Sequence, residues 1–253
     1  MKKFKTALIT GGAQRIGSSI TEHLAKNGFN VAVQFNNSEK KITSLRKKIN
    51  RTGVKFEAFK ADFNTNFDYE SFFKNITKKL GYIDLLINNS SSFEFDSIKK
   101  TNYKIFDNHI NVNLRAPFFL SKNFVDNLKS KNGLIINIID QRVKNITPYF
   151  TSYTLSKTAL YTLTKSLSVF LAPKIRVNGI SPGPTLKSKN QTIKQFREQV
   201  KRTPMMRQVK LCEINSAIDY LITNPSITGE VLTIDSGQSL GWANSKSKVF
   251  STD

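Results

Sequence analysis

The run KTALITGGAQRIG near the start of the chain constrains the fold more than any other stretch. Lys5 to Thr10 reads as a short buried strand that passes directly into Gly11 and Gly12. Ile16, Ile20 and Leu24 then recur every four residues, which predicts a helix from about Arg15 to about Gly28. A strand, a glycine turn and a helix in that order bring free backbone N–H groups and a positive helix end to one point. Glycine there lets a pyrophosphate approach the main chain. This start is what an α/β sheet that binds a dinucleotide requires.

The remaining sequence keeps the alternation. Further apolar strands are predicted at Asn30 to Phe35, Val54 to Phe59, Ile83 to Ile87, Leu134 to Ile139, Ile175 to Gly179 and Glu230 to Ile234. The helices between them include Ser38 to Asn50, a long region from Tyr103 to Leu128, one that carries Tyr153 and runs to about Leu171, and Leu211 to Ile222. Seven strands and six helices, without repeat, linker or composition break, predict one doubly wound Rossmann-type domain over residues 1–253. Its sheet is expected to be mainly parallel, with helices on both faces. The polar, basic stretch from Thr185 to Arg207 is long for a connection and predicts a substrate lid at about 185–210.

Composition narrows the class. The single cysteine, Cys212, excludes a disulfide framework and reads as a core thiol in a cytoplasmic, unprocessed protein. No apolar run reaches the roughly 18 residues of a membrane span, and the basic start MKKFK leads into a strand rather than a signal sequence. His23 and His109 stand far apart without carboxylate or cysteine partners at ligand spacing, so no metal site is expected. The formal charge of +21 is spread along the chain without a nucleic-acid motif, and it reads as solvated helix faces whose field attracts anionic small molecules.

The chemistry-bearing residues fall at strand ends and on two helices. Tyr153 and Lys157 are four apart in YTLSK, so both project from one helix face, and the cation is expected to lower the tyrosine pKa toward that of a working proton donor. The second strand ends in Gln34-Phe35-Asn36-Asn37-Ser38, with no acid to bind a ribose 2′-hydroxyl and with Arg15, Ser38 and nearby lysines to meet a 2′-phosphate. NADPH is therefore expected over NADH. Asp62, after the third strand, suits either an adenine amino group or a turn cap. The fourth strand opens into Asn88-Asn89-Ser90-Ser91-Ser92-Phe93, small polar residues at the ligand-binding edge of such sheets. Asn113, polar in the run HINVNLRAPFFL, suits a water-linked proton path or a core hydrogen bond to backbone. Ser181-Pro182-Gly183-Pro184 breaks the chain sharply after the sixth strand.

Taken together, TGGAQRIG, the NNS after the fourth strand, Asn113, YTLSK, IRVNGISPG and ITGEVLTIDSG resemble the short-chain dehydrogenase/reductase family over nearly the full length. The resemblance implies hydride transfer from a nicotinamide cofactor, with Tyr153 as acid, Lys157 holding the ribose and tuning Tyr153, and Asn113 supporting a proton relay. It implies NADP(H) contacts from Gly11, Arg15, Ile16, Gly17, Asn37, Ser38, Asp62, Asn89, Ser91, Pro182 and Gly183, together with Tyr153 and Lys157. It also implies pairing through the helices of Asn113 and Tyr153 into a homodimer or homotetramer.

Three departures from the family pattern agree with one another. Asp140 stands thirteen residues before Tyr153, where most members place a serine whose hydroxyl stabilises a carbonyl oxygen. An ionised aspartate repels a developing alkoxide, and losing such a donor costs on the order of 10² to 10³ in rate. A carboxyl there suits protonation of a ring nitrogen as a C=N bond accepts hydride, and burial is expected to raise its pKa. Arg15 replaces a glycine of the turn, and Ser91 and Phe93 follow the fourth strand, where a phenyl ring can stack on a flat ligand. This combination resembles the pteridine and dihydromonapterin reductases. It implies reduction of a pterin-like small molecule and weak reduction of dihydrofolate, with Arg15, Phe93, Asp140 and Tyr153 at the substrate. The alternatives are a 3-oxoacyl thioester reductase of the same family and, further off, a basic nucleic-acid-binding protein without catalysis.

Overall fold

The computed structural model describes residues 4–129 and 132–241. The basic start Met1 to Lys3 therefore lies outside the described residues. Seven strands form one sheet: β1 (Thr6–Ile9), β2 (Asn30–Phe35), β3 (Phe56–Lys60), β4 (Leu85–Asn88), β5 (Gly133–Ile138), β6 (Ile175–Pro182) and β7 (Val231–Ile234). Every neighbouring pair is parallel and the order is β3-β2-β1-β4-β5-β6-β7. The strand order reverses between β1 and β4, and ligand crevices of open α/β sheets form outside the carboxyl ends at such a point.

The sheet is buried on both faces, which is why its strands read as continuous apolar runs. On one face α1 (Arg15–Lys26), α2 (Glu39–Ile49) and α8 (Leu211–Thr223) contribute Ile20, Leu24, Ile42, Leu45, Ile214 and Ile218 to a core with Ile9, Val33 and Ile136. On the other, α3 (Tyr69–Leu80) and α5 (Ala116–Asn127) pack Phe72, Phe73, Ile76, Leu120 and Phe124 against Leu8, Leu86 and Ile135. Beside them, α6 (Thr151–Phe170) contributes the buried Leu160.

Three expectations change. The region from Tyr103 to Leu128 is α4 (Tyr103–Ile110) and α5 joined by one π-helical turn over Asn111–Arg115. That wider turn carries Asn113, and such turns frequently mark functional positions. The expected lid contains a further helix, α7 (Ile193–Lys201), started by a capping box of Thr192 and Gln195. Cys212 is exposed rather than in the core, because α8 buries Ile214, Ala217, Ile218 and Leu221 and residue 212 lies off that stripe. Among the described residues no helix is long and apolar enough to cross a membrane and no cluster of metal-ligating side chains occurs.

Candidate active site

The carboxyl ends of β1, β2, β4, β5 and β6 surround a cleft of about 1540 Å³. This exceeds the ~300–1,000 Å³ usual for one small-molecule pocket and leaves room for two molecules side by side. One wall is the glycine turn. Gly11 has φ +59° and Arg15 has φ +55°, so the turn enters the left-handed region twice. Glycine meets that demand freely and arginine does so at a cost of about 1–3 kcal/mol. The Arg15 guanidinium is tethered by donation from Nη2 to the Leu186 carbonyl at 3.1 Å, linking the turn to the lid. Ile16 and Gly17 line the same wall.

Gln34 holds the turn in place, a role its sequence position did not disclose. Its buried side chain accepts from the Gly11 N–H and the Ser90 hydroxyl, both at 2.8 Å, and donates to the Ala61 carbonyl at 2.7 Å. One amide thus ties β2, the glycine turn, the β4 exit and the β3 exit together. A polar residue inside the apolar run NVAVQF was the available signal. Asn89 adds a second tie by donating to the Thr10 carbonyl at 2.8 Å. Asn37, Ser38 and Asp62 line the far end of the cleft, where Lys41 donates to the Gln14 side chain. Asp62 also accepts from the Asn64 N–H at 2.9 Å, so it caps its own turn. Pro182 and Gly183 form the β6 side of the cleft, and Gly183 lies against Asp235, where an added Cβ would stand 2.6 Å from the Asp235 Cα.

At the centre, α6 brings Tyr153 and Lys157 to the end of β5. The Tyr153 hydroxyl donates to Asp140 Oδ2 at 2.8 Å, while Asp140 Oδ1 accepts from the Arg142 N–H at 2.9 Å. Arg142 Nη1 approaches that same oxygen at 3.6 Å. Asp140 is thus both a loop cap and the partner of the tyrosine. Lys157 is buried and donates to the Ile138 carbonyl at 2.9 Å.

The electrostatics correct the expected tyrosine pKa. Burial, and then the Asp140 charge, push the Tyr153 phenol well above its ordinary value, against the smaller opposing pull of Arg142. Lys157 does not reverse this, since its own ammonium is buried and pushed down to about 8. Tyr153 therefore holds its proton through the neutral range. Between about 8 and 10.5 the unfolded chain binds the extra lysine proton, so on this residue's account folding becomes more favourable as pH rises through that window.

Phe93 is not an open platform in this structure. Its ring stacks on Phe150 at 4.7 Å and 8°, and meets the Tyr153 ring edge-on at 4.7 Å. The Arg142 guanidinium lies 5.3 Å from the Phe93 centroid and 4.9 Å from that of Phe150. Its Nε is buried without a partner among the described residues. Arg142 and Phe150 escaped sequence reading because a guanidinium over two rings from different loops has no local signature. Ser91 lies beside the Tyr153 hydroxyl and lines the cleft. Asn113 accepts from the Ser92 N–H at 2.8 Å and donates to the Ser92 carbonyl and the Ser156 hydroxyl, both at 3.0 Å. Its carboxamide therefore holds the loop that carries Phe93, the backbone role that sequence left open.

A family model described as short chain dehydrogenase matches residues 5–198. An oxidoreductase of Bacillus subtilis, YjdA, is 35% identical over 188 residues, covering 72% of this chain and 75% of its own. The 3-oxoacyl-[acyl-carrier-protein] reductase FabG of Staphylococcus aureus is 27% identical over 243 residues, 94% of this chain and 99% of its own. Among solved structures, FolM alternative dihydrofolate reductase 1 of Brucella canis, complexed with NADP, superposes with a TM-score of 0.92 at 39% identity, covering 97% of this chain and 98% of its own. A parallel sheet in this order, a glycine turn at its switch point, a tyrosine–lysine pair over β5 and a family match across most of the length lead to one conclusion: the chain is an oxidoreductase of the short-chain dehydrogenase family.

Proposed function

We propose that this protein uses NADPH to reduce a C=N bond of a dihydropterin-type heterocycle, and the observation that carries the reading is the hydrogen bond from Tyr153 to Asp140. The cleft fits the cofactor. The first turn of α1 carries no acid and, among the described residues, Gln14 makes no side-chain cap, so the N–H groups of that turn are left for a phosphate. At the end of β2, Asn37, Ser38 and Lys41 line the place for a 2′-phosphate. The net charge of +21 steers such an anion inward.

When bound, NADPH supplies the hydride. Tyr153 gives its hydroxyl proton to the ring nitrogen as the C=N π bond breaks and the carbon gains hydrogen, and it regains a proton from solvent through the cleft. Asp140 stands beside the reacting bond as the acceptor from Tyr153. It stabilises the positive charge of a protonated C=N and opposes the negative charge of an alkoxide, so the site favours imine over ketone. Arg15 and Arg142 are the groups to meet the carbonyl edges of a flat ring, and Phe93 stacks on that ring where it gives up Phe150. Lys157 holds the cofactor ribose, and a charged ammonium does this best. Its value of about 8 leads to the expectation that kcat/KM for NADPH falls as pH rises through about 8, measured by varying NADPH across a pH series at saturating pterin.

The likeness to FolM supports this reading, and the likeness to FabG favours the alternative, a 3-oxoacyl thioester reductase. NADPH oxidation with a 7,8-dihydropterin and with an acetoacetyl thioester, repeated in Asp140→Ser, separates them. Pterin turnover is expected in the native protein and is expected to fall on the order of 10²-fold or more in the variant. Thioester turnover without pterin turnover would overturn the proposal. The reading keeps a cytoplasmic setting, in line with the single cysteine. It also keeps a homo-oligomer, whose helix pairing would cover the exposed Tyr103 and Phe106 on α4, Phe118 on α5 and Leu155 on α6.

A further inference from the structure

His109 is fully buried on α4, and the chemistry above makes no use of it. Its Nε2 lies 3.0 Å from the Glu94 main-chain nitrogen. A peptide N–H only donates, so Nε2 carries the lone pair and the ring proton sits on Nδ1. Nδ1 then donates to the Ser152 hydroxyl at 2.7 Å, which donates in turn to Asp96 Oδ2 at 2.6 Å. On the other side of Phe93, Asn113 grips both the N–H and the carbonyl of Ser92. Two side chains therefore clamp the main chain on either side of Phe93, whose ring lies on Phe150 beside Tyr153. Only the clamp from His109 can be undone by a proton, because an Nε2–H would face the Glu94 N–H.

We propose that His109 is a positioning residue for the substrate pocket: as the neutral imidazole it fixes the backbone at Phe93, and its protonation releases that loop. The link to substrate rests on the dihydropterin reading; the link to the loop does not. The charged groups that face His109 are Glu94 and Asp96 on the loop, both favouring the imidazolium, and the Tyr153 ring packs on it from α6 at 5.8 Å. Burial outweighs the two acids and pushes the imidazole below its ordinary range. The clamp is therefore intact near neutrality, and its contribution to stability is lost as pH falls through the lowered value of the folded protein.

The chain has two histidines, so NMR of the ring protons, assigned with His23→Gln, follows His109 directly. Exchange of the Glu94 amide is measured in the same samples. Protection of that amide is expected to disappear as the His109 ring titrates. It is expected to persist at both ends of the titration in His109→Gln, which keeps an acceptor but does not titrate, and to be absent throughout in His109→Leu. With 7,8-dihydropterin, KM is expected to rise roughly tenfold in His109→Leu and in acidified native enzyme, the cost of one buried donor left unpaired. His109→Gln keeps the native KM, and the NADPH dissociation constant is unchanged in all three. Glu94 protection that ignores the state of His109 would overturn the inference, and the native and His109→Gln titrations decide this even if His109→Leu fails to fold. A protein that does not turn over dihydropterin would sink the proposed substrate and leave the amide measurement to decide the role of His109.

Discussion

Replacing Tyr153 with phenylalanine is expected to lower kcat for dihydropterin reduction by roughly 10²- to 10⁴-fold, the usual worth of a positioned proton donor. NADPH affinity and the fold should survive. The ring is buried and packs edge-on against Phe93, contacts that phenylalanine reproduces. What disappears is the hydroxyl, and with it the donor to Asp140 Oδ2. That carboxylate keeps the Arg142 N–H and guanidinium on its other oxygen, and it lines the open cleft, so water can replace the lost donor. The stability loss should accordingly stay at about 1 kcal/mol, near the net worth of one hydrogen bond. Steady-state kinetics with a melting curve and an NADPH titration check all three expectations. A Tyr153→Phe protein with native kcat would move proton delivery to Asp140 and leave the tyrosine as a packing residue.

What was legible in the sequence was what is local. The glycine turn could be read because a strand, Gly11-Gly12 and a helix of period four follow one another within twenty residues, and the tyrosine–lysine face because a helix repeats on that spacing. Properties that arise between segments were not legible. The phenol of Tyr153 was expected to be pulled down by Lys157, its neighbour along the helix, yet burial and Asp140, thirteen residues away, push it up. Phe93 was expected to face a ligand and instead lies on Phe150, fifty-seven residues further along, with Arg142 over both rings. His109 looked inert because its partners, Glu94 and Ser152, sit on other elements. The helix α7 was missed although Ile193, Phe196 and Val200 recur at helical spacing behind the Thr192 and Gln195 capping box, because the stretch buries no residue and its polar and basic composition read as a loop.

Replacing Gly17 with alanine is expected to weaken NADPH binding by roughly 10²-fold or more and to destabilise the fold by about 1–3 kcal/mol, the cost of overpacking a tight contact. The first turn of α1 crosses the glycine turn so closely that a Cβ on Gly17 would stand 2.2 Å from the Gly11 carbonyl oxygen and 2.6 Å from Asn89 Nδ2. Neither neighbour can retreat cheaply. Gly11 is main chain at positive φ, and Asn89 is committed to the Thr10 carbonyl. Thr21 closes the junction from the other side by donating to the carbonyls of Gly12 and Gly17 at 3.1 and 2.9 Å. The added methyl must therefore drive the helix start away from the turn, which separates the N–H groups that jointly meet a pyrophosphate. Gly53→Ala supplies the contrast. Its φ of +75° makes alanine strained there, but no other atom among the described residues lies within 4 Å of the new methyl. That variant should lose stability to backbone strain alone, about 1 kcal/mol, with native NADPH affinity. Thermal melts and NADPH fluorescence titrations on the two variants separate strain from loss of the cradle. Equal NADPH affinity in Gly17→Ala and Gly53→Ala would mean that the close approach of α1 to the turn does not build the cofactor site.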